Sequence, residues 1–476
     1  MGTPDVTADA SPTTNLADLL LRHPFGDEAG LLHTLDRTVT AGAARAAARR
    51  VADQLGPLHG RAVAVQLPNG PEVVSTMVGV WLAGGVYVPV NPRMTDAEVA
   101  SVLQSTAPAA SVSTEGIRTL VDPITYDDGV AFVMWTSGTT GAPKAILHTH
   151  TAYVELLDRV LRPLRGGRGA TDADAEAPLG PPPTPRPPTP NLIPVSMALN
   201  AGLYNALFGL RAGAALVIMD RFDPGAFAEL VRRFEIRSTV LPPAALAMLS
   251  DDETVTDLGP LRYVRSITAP LSPLQARRFA EKFPVHVLNG YGQAEIGEVI
   301  GWTAADAKAH PDKIGAIGRP HPGVEIRIDG EGHLLVRPPN TAAGIEERKD
   351  AEGFIDTGDL ARVDDDGFVW IEGRAGDLIN RGGNKVFPES VEEVLRLSPT
   401  VLDAGVVGAP DDRLGEVPVA FLVGDPVPDD ELVALCREHL VAYKVPAAFH
   451  WIDELPRSEV GKLLRTELSQ RLRSPT

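Results

Sequence analysis

Short apolar runs alternate with helical patterns along most of the first 292 residues, and this alternation constrains the fold more than any other feature. The runs "RAVAVQL" (61–67), "VYVPV" (86–90), "VAFVMW" (130–135), "AALVIM" (214–219), "STVLPP" (238–243), "YVRSITA" (263–269) and "VHVLNGYG" (285–292) read as strands. Helical patterns lie among them: "PEVVSTMVGVWLAGG" (71–85), then 225–235, 244–250 and 273–282. In the first of these, Pro71 suits an opening turn and Gly84-Gly85 a stop. Strands joined by helices imply parallel sheets covered by helices on both faces. Ligands of such sheets bind at the carboxyl ends of the strands. Two conspicuous segments, "WTSGTTGAPK" (135–144) and "NGYGQAE" (289–295), are expected at such ends and are candidates for one cleft.

The texture changes twice along the chain. Residues 163–190, "PLRGGRGATDADAEAPLGPPPTPRPPTP", lose all apolar periodicity, and a disordered or extended surface excursion is expected there. From about 313 onward, "VEIRIDGEGHLLVR" (324–337) and "ARVDDDGFVWIEGR" (361–374) read as hairpins, the first around Asp329-Gly330, and suggest a small β-subdomain. Mixed β–α patterns return after "EGRAGD". The expected organisation is an α/β N-terminal domain over 1–375, with two α/β subdomains plus a small β-barrel-like subdomain, and a small mobile α+β C-terminal domain over 376–476.

Composition narrows the function. The 476 residues carry 44 Lys and Arg against 62 Asp and Glu, a net charge of −18. Such a chain is a poor general binder of nucleic acid or anionic membrane, so a polyanionic ligand needs a local site. Cys436 is the single cysteine, which excludes an internal disulfide and a cysteine-based metal site. The polar start "MGTPDVTADASPTTN" lacks the pattern of a signal peptide, and no apolar run is long enough to span a membrane. A soluble cytoplasmic protein is expected.

The segment 135–144 has the makings of an anion loop. Gly138 and Gly141 permit a close approach of backbone to ligand. Successive N–H groups in such a turn form a nest for anions. Thr136, Ser137, Thr139 and Thr140 add hydroxyl donors and Lys144 a point charge. The order differs from the Walker loop, because Lys144 follows the last glycine by three residues with Pro143 between them.

Four further motifs follow in order: "NGYGQAE" (289–295), "FIDTGDL" (354–360), "GRAGDLINRGGNKVFP" (373–388) and "LPRSEVGKLLR" (455–465). With these five motifs, from about residue 60 to 466, the chain resembles the adenylate-forming superfamily, which includes acyl- and aryl-CoA synthetases, the adenylation domains of nonribosomal peptide synthetases and firefly luciferase. The resemblance implies that the loop 136–144, with Thr139 among its catalytic groups, holds the β- and γ-phosphates of ATP. Tyr291, followed by Gly292, would stack on adenine, and Glu295 would hold Mg²⁺. Asp359 would accept the ribose hydroxyls with support from Arg374. Lys462 would bridge the carboxylate and the α-phosphate as charge builds. Gly383 would let a pantetheine thiol pass, and Gly376 would be the hinge. The acid would lie against Met197, Leu199, Asn200, Ala269, Gly290 and Ala294. The implied reaction is attack of a carboxylate on the α-phosphorus of ATP with loss of pyrophosphate, then acyl transfer, to CoA in the first reading and to a carrier protein or an amine in the second. A monomer or homodimer is expected.

Some positions depart from the family pattern. Ala294 stands where the family usually has Thr, and Ala145 where Gly follows the loop lysine. Gly376 replaces the usual Asp or Lys of the hinge, and Ser390 a frequent Glu. In "PVSMALNAGLYNALF" (194–208), Leu199 occupies the place of a His found in many CoA synthetases, which implies an apolar wall. No Asp in that stretch could hold an ammonium group, so a simple carboxylic acid is favoured over an α-amino acid.

Overall fold

The computed structural model describes residues 15–136, 144–165, 188–267, 271–293, 296–339, 341, 345–457 and 463–473. Two compact units account for it. The first comprises Met1–Leu241, Asp252–Val264 and Asn340–Ile345, the second Pro242–Asp251, Arg265–Pro339 and Glu346–Thr476.

In the first unit a six-stranded sheet runs in the order Gly116–Thr119, Ala110–Ser113, Ala62–Gln66, Val86–Pro89, Val130–Thr136, Lys144–Thr149. Its four inner strands are parallel, as the alternation requires, and its two edge strands are antiparallel. The edge strand Lys144–Thr149 was not legible in the sequence: "AILHT" is too short to separate from the helix His150–Arg165 that follows it. That helix continues through Pro163, so the irregular stretch begins later than its composition suggests, and its residues 166–187 lie outside the described ones.

Helix Pro71–Leu82 buries ten of its twelve residues, matching its apolar character all round. It has Pro at its first turn, and the positive φ of Gly84 (70°) follows its end. Gly79 lets it approach helix Ala41–Leu55, because a Cβ there would fall 2.7 Å from the Ala48 carbonyl oxygen. Each Val, Leu or Met so buried contributes about 1.5–3 kcal/mol. A second sheet of this unit, Thr38–Thr40, Gly30–His33, Leu216–Ile218, Asn191–Ile193, is parallel in its last three strands.

In the second unit the two expected hairpins join as a four-stranded antiparallel meander, Glu325–Ile328, His333–Arg337, Ile355–Val363 and Val369–Arg374. Beyond it lies a sheet in the order Asn384–Val386, Ile379–Arg381, Gly415–Gly424, Val401–Asp411, with Ala448–Trp451 parallel to Gly415–Gly424. Helices Pro388–Leu395 and Asp429–His439 cover it around Val391, Leu395, Leu432 and the buried Cys436. No helix among the described residues is long and apolar enough to cross a membrane.

Candidate active site

The ends of the 135–144 segment are held by the antiparallel pair Val130–Thr136 and Lys144–Thr149, in which Thr136 and Lys144 are partners. A strand, Lys144–Thr149, and not a helix therefore follows directly after the segment. Ser137, Gly138, Thr139, Thr140 and Gly141 lie outside the described residues, as do Ala269, Ala294, Glu295 and Lys462, and the side chains of Thr136 and Lys144 are not described.

The stretch 194–208 opens helix Asn200–Ala212, with Leu199 at its N-cap. Gly202 allows the entry turn, because a Cβ there would fall 2.1 Å from the Ser196 carbonyl oxygen. Met197 is 1% exposed and packs in the core, its N–H donating to Asn69 Oδ1 at 2.7 Å. Asn69 also donates to the carbonyls of Val195 and Met219, at 2.8 and 3.0 Å. Sequence reasoning missed this residue, since a lone Asn in "LPNGP" carries no distinctive signal. Asn200 Oδ1 is buried and accepts no hydrogen bond among the described residues, so an acceptor stands open where the acid is expected.

In the second unit three distant motifs meet. Strand His286–Gln293 carries Tyr291, whose hydroxyl donates to Asp359 Oδ2. Asp359 is the cross-strand partner of Arg374, and Arg374 Nε donates to Asp359 Oδ1 at 3.0 Å. The "DTGD" turn shapes this pair: Gly358 takes φ 75°, and Thr357 Oγ1 bonds the Leu334 carbonyl at 2.8 Å while accepting from the Asp359 N–H at 3.2 Å. Asp359 is 5% exposed, whereas the Arg374 side chain is 42% exposed. Burial, together with the Asp359 charge, pushes the Tyr291 phenol well above its ordinary pKa, so it stays a donor. Gln293 Nε2 fastens the same strand to the Thr357 carbonyl at 2.7 Å, a link not expected from the motif.

Tyr291 and Gly292 lie in the strand expected over 285–292, and what was not expected is the return that follows it. The strand continues to Gln293 and turns back antiparallel as Gly297–Gly301. The reason is steric: a Cβ at Gly292 would fall 2.1 Å from the Gly297 carbonyl oxygen, and Gly297 takes φ 68°, so paired glycines allow a tight hairpin.

Toward the C-terminus, Gly382 and Gly383 form the two-residue turn between Ile379–Arg381 and Asn384–Val386, with φ 59° and 86°. Among the described residues, beyond its chain neighbours, nothing lies within 4 Å of a Cβ built at Gly383. Arg381 ties this hairpin to "YKVP" (443–446), donating to the Tyr443 and Val445 carbonyls at 2.9 and 3.1 Å. Gly376 sits in the short turn Ala375–Asp377, where a Cβ would meet nothing of the described residues beyond its chain neighbours within 4 Å. The segment bearing Lys462 is flanked by a bridge between Arg457 and Leu463. Just beyond it, Arg465, its side chain 14% exposed, meets Glu392, Glu389 (2.7 Å) and Asp377 (3.3 Å). Arg465 stands inside a quoted motif, yet its acidic partners are too far along the chain to be foreseen.

Known proteins share this pattern. The AMP-binding enzyme family matches residues 24–122 and 112–345, and the AMP-binding enzyme C-terminal domain matches 390–462. A 2-succinylbenzoate–CoA ligase of Bacillus cytotoxicus is 29% identical, over 87% of this chain and 89% of its own length. 4-Coumarate-CoA ligase 1 of Narcissus pseudonarcissus is 28% identical, over 94% and 92%. Among solved structures, an amide bond synthetase from Marinactinospora thermotolerans superposes with a TM-score of 0.77 at 25% identity, covering 97% of this chain and 100% of the other. The chain belongs to the AMP-binding enzyme family, with that family's large α/β region followed by its C-terminal domain.

Proposed function

We infer that this chain is an AMP-forming acid–thiol ligase: it activates a carboxylic acid with ATP, releasing pyrophosphate, and passes the acyl group to CoA. The observation that carries the reading is the meeting of Tyr291, Asp359 and Arg374, drawn from three separate motifs onto one buried carboxylate. That carboxylate suits a ribose diol, and the tyrosine ring beside it suits a base.

The roles follow from the residue types. The backbone N–H groups and hydroxyls of 136–141, with Lys144, would grip the β- and γ-phosphates of the substrate MgATP. Glu295 would supply one carboxylate to Mg²⁺, and a single carboxylate suits a Mg²⁺ that arrives with the phosphates. Lys462 would hold the acid carboxylate against the α-phosphorus, where its charge stabilises the transition state of in-line displacement. Residues 376–476 would then turn about Gly376 to bring Gly383 and "YKVP" to the thiol path. Arg381 already binds those two segments together, which supports their acting as one surface. In the first unit the acid would meet Leu199 and Asn200, whose open Oδ1 offers an acceptor. Met197 would support that pocket from the core. The working form is proposed to be a monomer or homodimer.

A second reading passes the acyl group to an amine. It is favoured by Leu199 in place of the usual His and by the likeness to an amide bond synthetase. Both readings are tested by pyrophosphate release from ATP, Mg²⁺ and a panel of aliphatic, aryl and amino acids, with and without CoA, and with Lys462→Ala as control. Acid-dependent release that rises with CoA and yields a thioester supports the ligase. Release indifferent to CoA supports transfer to another nucleophile. Retention of full rate by Lys462→Ala would remove the lysine from its role; a loss of roughly 100-fold or more is expected.

A further inference from the structure

A charged cluster in the second unit has no part in the nucleotide chemistry. Glu298 Oε1 pairs with Arg265 Nη1 and lies 3.1 Å from His321 Nε2. The three side chains come from different strands or loops and are 33% (Arg265), 27% (Glu298) and 30% (His321) exposed. They are buried enough for their pairing to matter and open enough to meet a small molecule. The His321 N–H donates to the Val299 carbonyl at 2.9 Å, which sets the ring beside the carboxylate.

Two glycines make room for this cluster. Gly290 and Gly301 are cross-strand partners. A Cβ at Gly290 would fall 2.9 Å from Glu298 Oε1, and one at Gly301 would fall 2.7 Å from the same oxygen. Gly290 is also a residue assigned above to the acid, and it immediately precedes Tyr291. Successive residues of a strand face opposite sides, so the side of Gly290 that Glu298 occupies is the reverse of the side from which Tyr291 reaches Asp359. The remaining neighbour is apolar, with Ile267 Cγ2 lying 3.2 Å from the same Cβ position. An apolar flank beside a fixed polar group is the usual composition of a small-molecule pocket.

The charge balance selects the ligand chemistry. Burial pushes the Glu298 carboxyl up, but Arg265 and then His321 outweigh it and hold it below the ordinary carboxylate range. Glu298 is therefore an anion already neutralised by Arg265. A second carboxylate on the substrate would have to take Arg265 away from Glu298, and an ammonium would have to sit beside Arg265. A neutral donor needs neither change: among the described residues Glu298 Oε2 accepts no hydrogen bond, and it can take an O–H or an aromatic N–H directly.

Building on the ligase reading above, we propose that Glu298, held by Arg265 and His321, is a specificity residue that selects acids bearing an uncharged hydrogen-bond donor, a hydroxyl or an aromatic amine, over their unsubstituted counterparts.

The test compares kcat/KM for acid-dependent pyrophosphate release across matched probes: benzoate with 3- and 4-hydroxybenzoate and 4-aminobenzoate, cinnamate with its ring-hydroxylated forms, hexanoate with 6-hydroxyhexanoate, and terephthalate as a second-carboxylate probe. In the unaltered protein at least one hydroxyl- or amino-bearing acid is expected to exceed its unsubstituted partner by roughly 10- to 100-fold, the worth of one hydrogen bond to a charged acceptor. Glu298→Leu is expected to bring that ratio to within about threefold, through KM for the substituted acid, and Glu298→Gln to retain part of it. Preference for unsubstituted acids or for terephthalate in the unaltered protein overturns the proposal without any variant, as does a preference that survives Glu298→Leu. Pyrophosphate release from no acid at all overturns the ligase reading beneath it, a result distinct from release without selectivity.

Discussion

Replacing Tyr291 with phenylalanine is expected to tighten ATP binding. Both oxygens of Asp359 are engaged, Oδ2 by the Tyr291 hydroxyl and Oδ1 by Arg374. The Asp359 side chain is only 8% exposed, so a ribose hydroxyl reaches Oδ2 by taking the place of the tyrosine's. A hydrogen bond to a charged acceptor is worth about 1.5–3 kcal/mol. Tyr291→Phe loses that contribution in the free protein and not in the complex, and it keeps the ring for stacking. The difference appears as affinity: Kd for ATP falls roughly 10- to 100-fold while the free protein loses about 1.5–3 kcal/mol of stability. Calorimetric titration with an ATP analogue that cannot release pyrophosphate, together with urea unfolding of the free protein, measures both. Asp359→Asn, run in parallel, is expected to weaken binding by roughly tenfold or more. If Tyr291→Phe binds the analogue no more tightly than the unaltered protein, the hydroxyl stays on Asp359 or serves the nucleotide itself, and the competition argument fails.

Three other outcomes follow from the geometry. Arg465→Leu removes the cation shared by Asp377, Glu389 and Glu392 and leaves the buried Glu392 with Arg396 3.8 Å away; a loss of about 3 kcal/mol in urea unfolding is expected. Gly376→Ala should be silent, since its Cβ meets nothing of the described residues beyond its chain neighbours within 4 Å. Gly376→Pro, which fixes φ at the hinge, should slow thioester formation by more than about tenfold while pyrophosphate release stays within about threefold. Burial lowers His23, His148 and His150 from 6.5 to about 4, so these rings stay neutral in the native state over a range where the unfolded chain binds protons. The stability tied to them is complete above pH 6.5 and declines as the pH falls toward 4. His148→Phe, which preserves the stack on Phe132 (centroids 4.7 Å apart), should reduce the slope of stability against pH by about one proton.

What was legible in the sequence was whatever a local pattern could encode. The buried helix Pro71–Leu82 announced itself by its apolar run between Pro71 and Gly84-Gly85, and the meander hairpins by their Asp-Gly turns. Two antiparallel returns were missed for one reason: such a return needs only a tight turn and a short strand. Lys144–Thr149 and Gly297–Gly301 were therefore absorbed into neighbouring patterns. The motif residues Tyr291, Asp359 and Arg374 were named from the sequence because each sits in a distinctive short string. Their union on one carboxylate was implied only by resemblance, since 68 residues separate Tyr291 from Asp359.

The polar residues around the site behaved differently. Asn69 and Glu298 stand in strings with no special spacing, Gln293 and Arg465 inside quoted motifs that give them no role, and each acquires its role from a partner brought in by the fold. Glycine is the trace they leave in the sequence. Gly202, Gly290, Gly292 and Gly301 are positions where a Cβ would meet a neighbour at 2.1 to 2.9 Å. At Gly202 and Gly292 that neighbour is backbone, and the glycine serves a turn. At Gly290 and Gly301 it is the carboxylate of Glu298, so there the glycine serves a side chain. A bulky substitution at Gly290 would displace Glu298 from Arg265, and the same change at Gly202 would break the entry to its helix. Gly290→Ala should thus alter acid selectivity with modest loss of stability, whereas Gly202→Ala should cost stability first. A Gly290→Ala protein with unchanged selectivity would separate this glycine from the acid site.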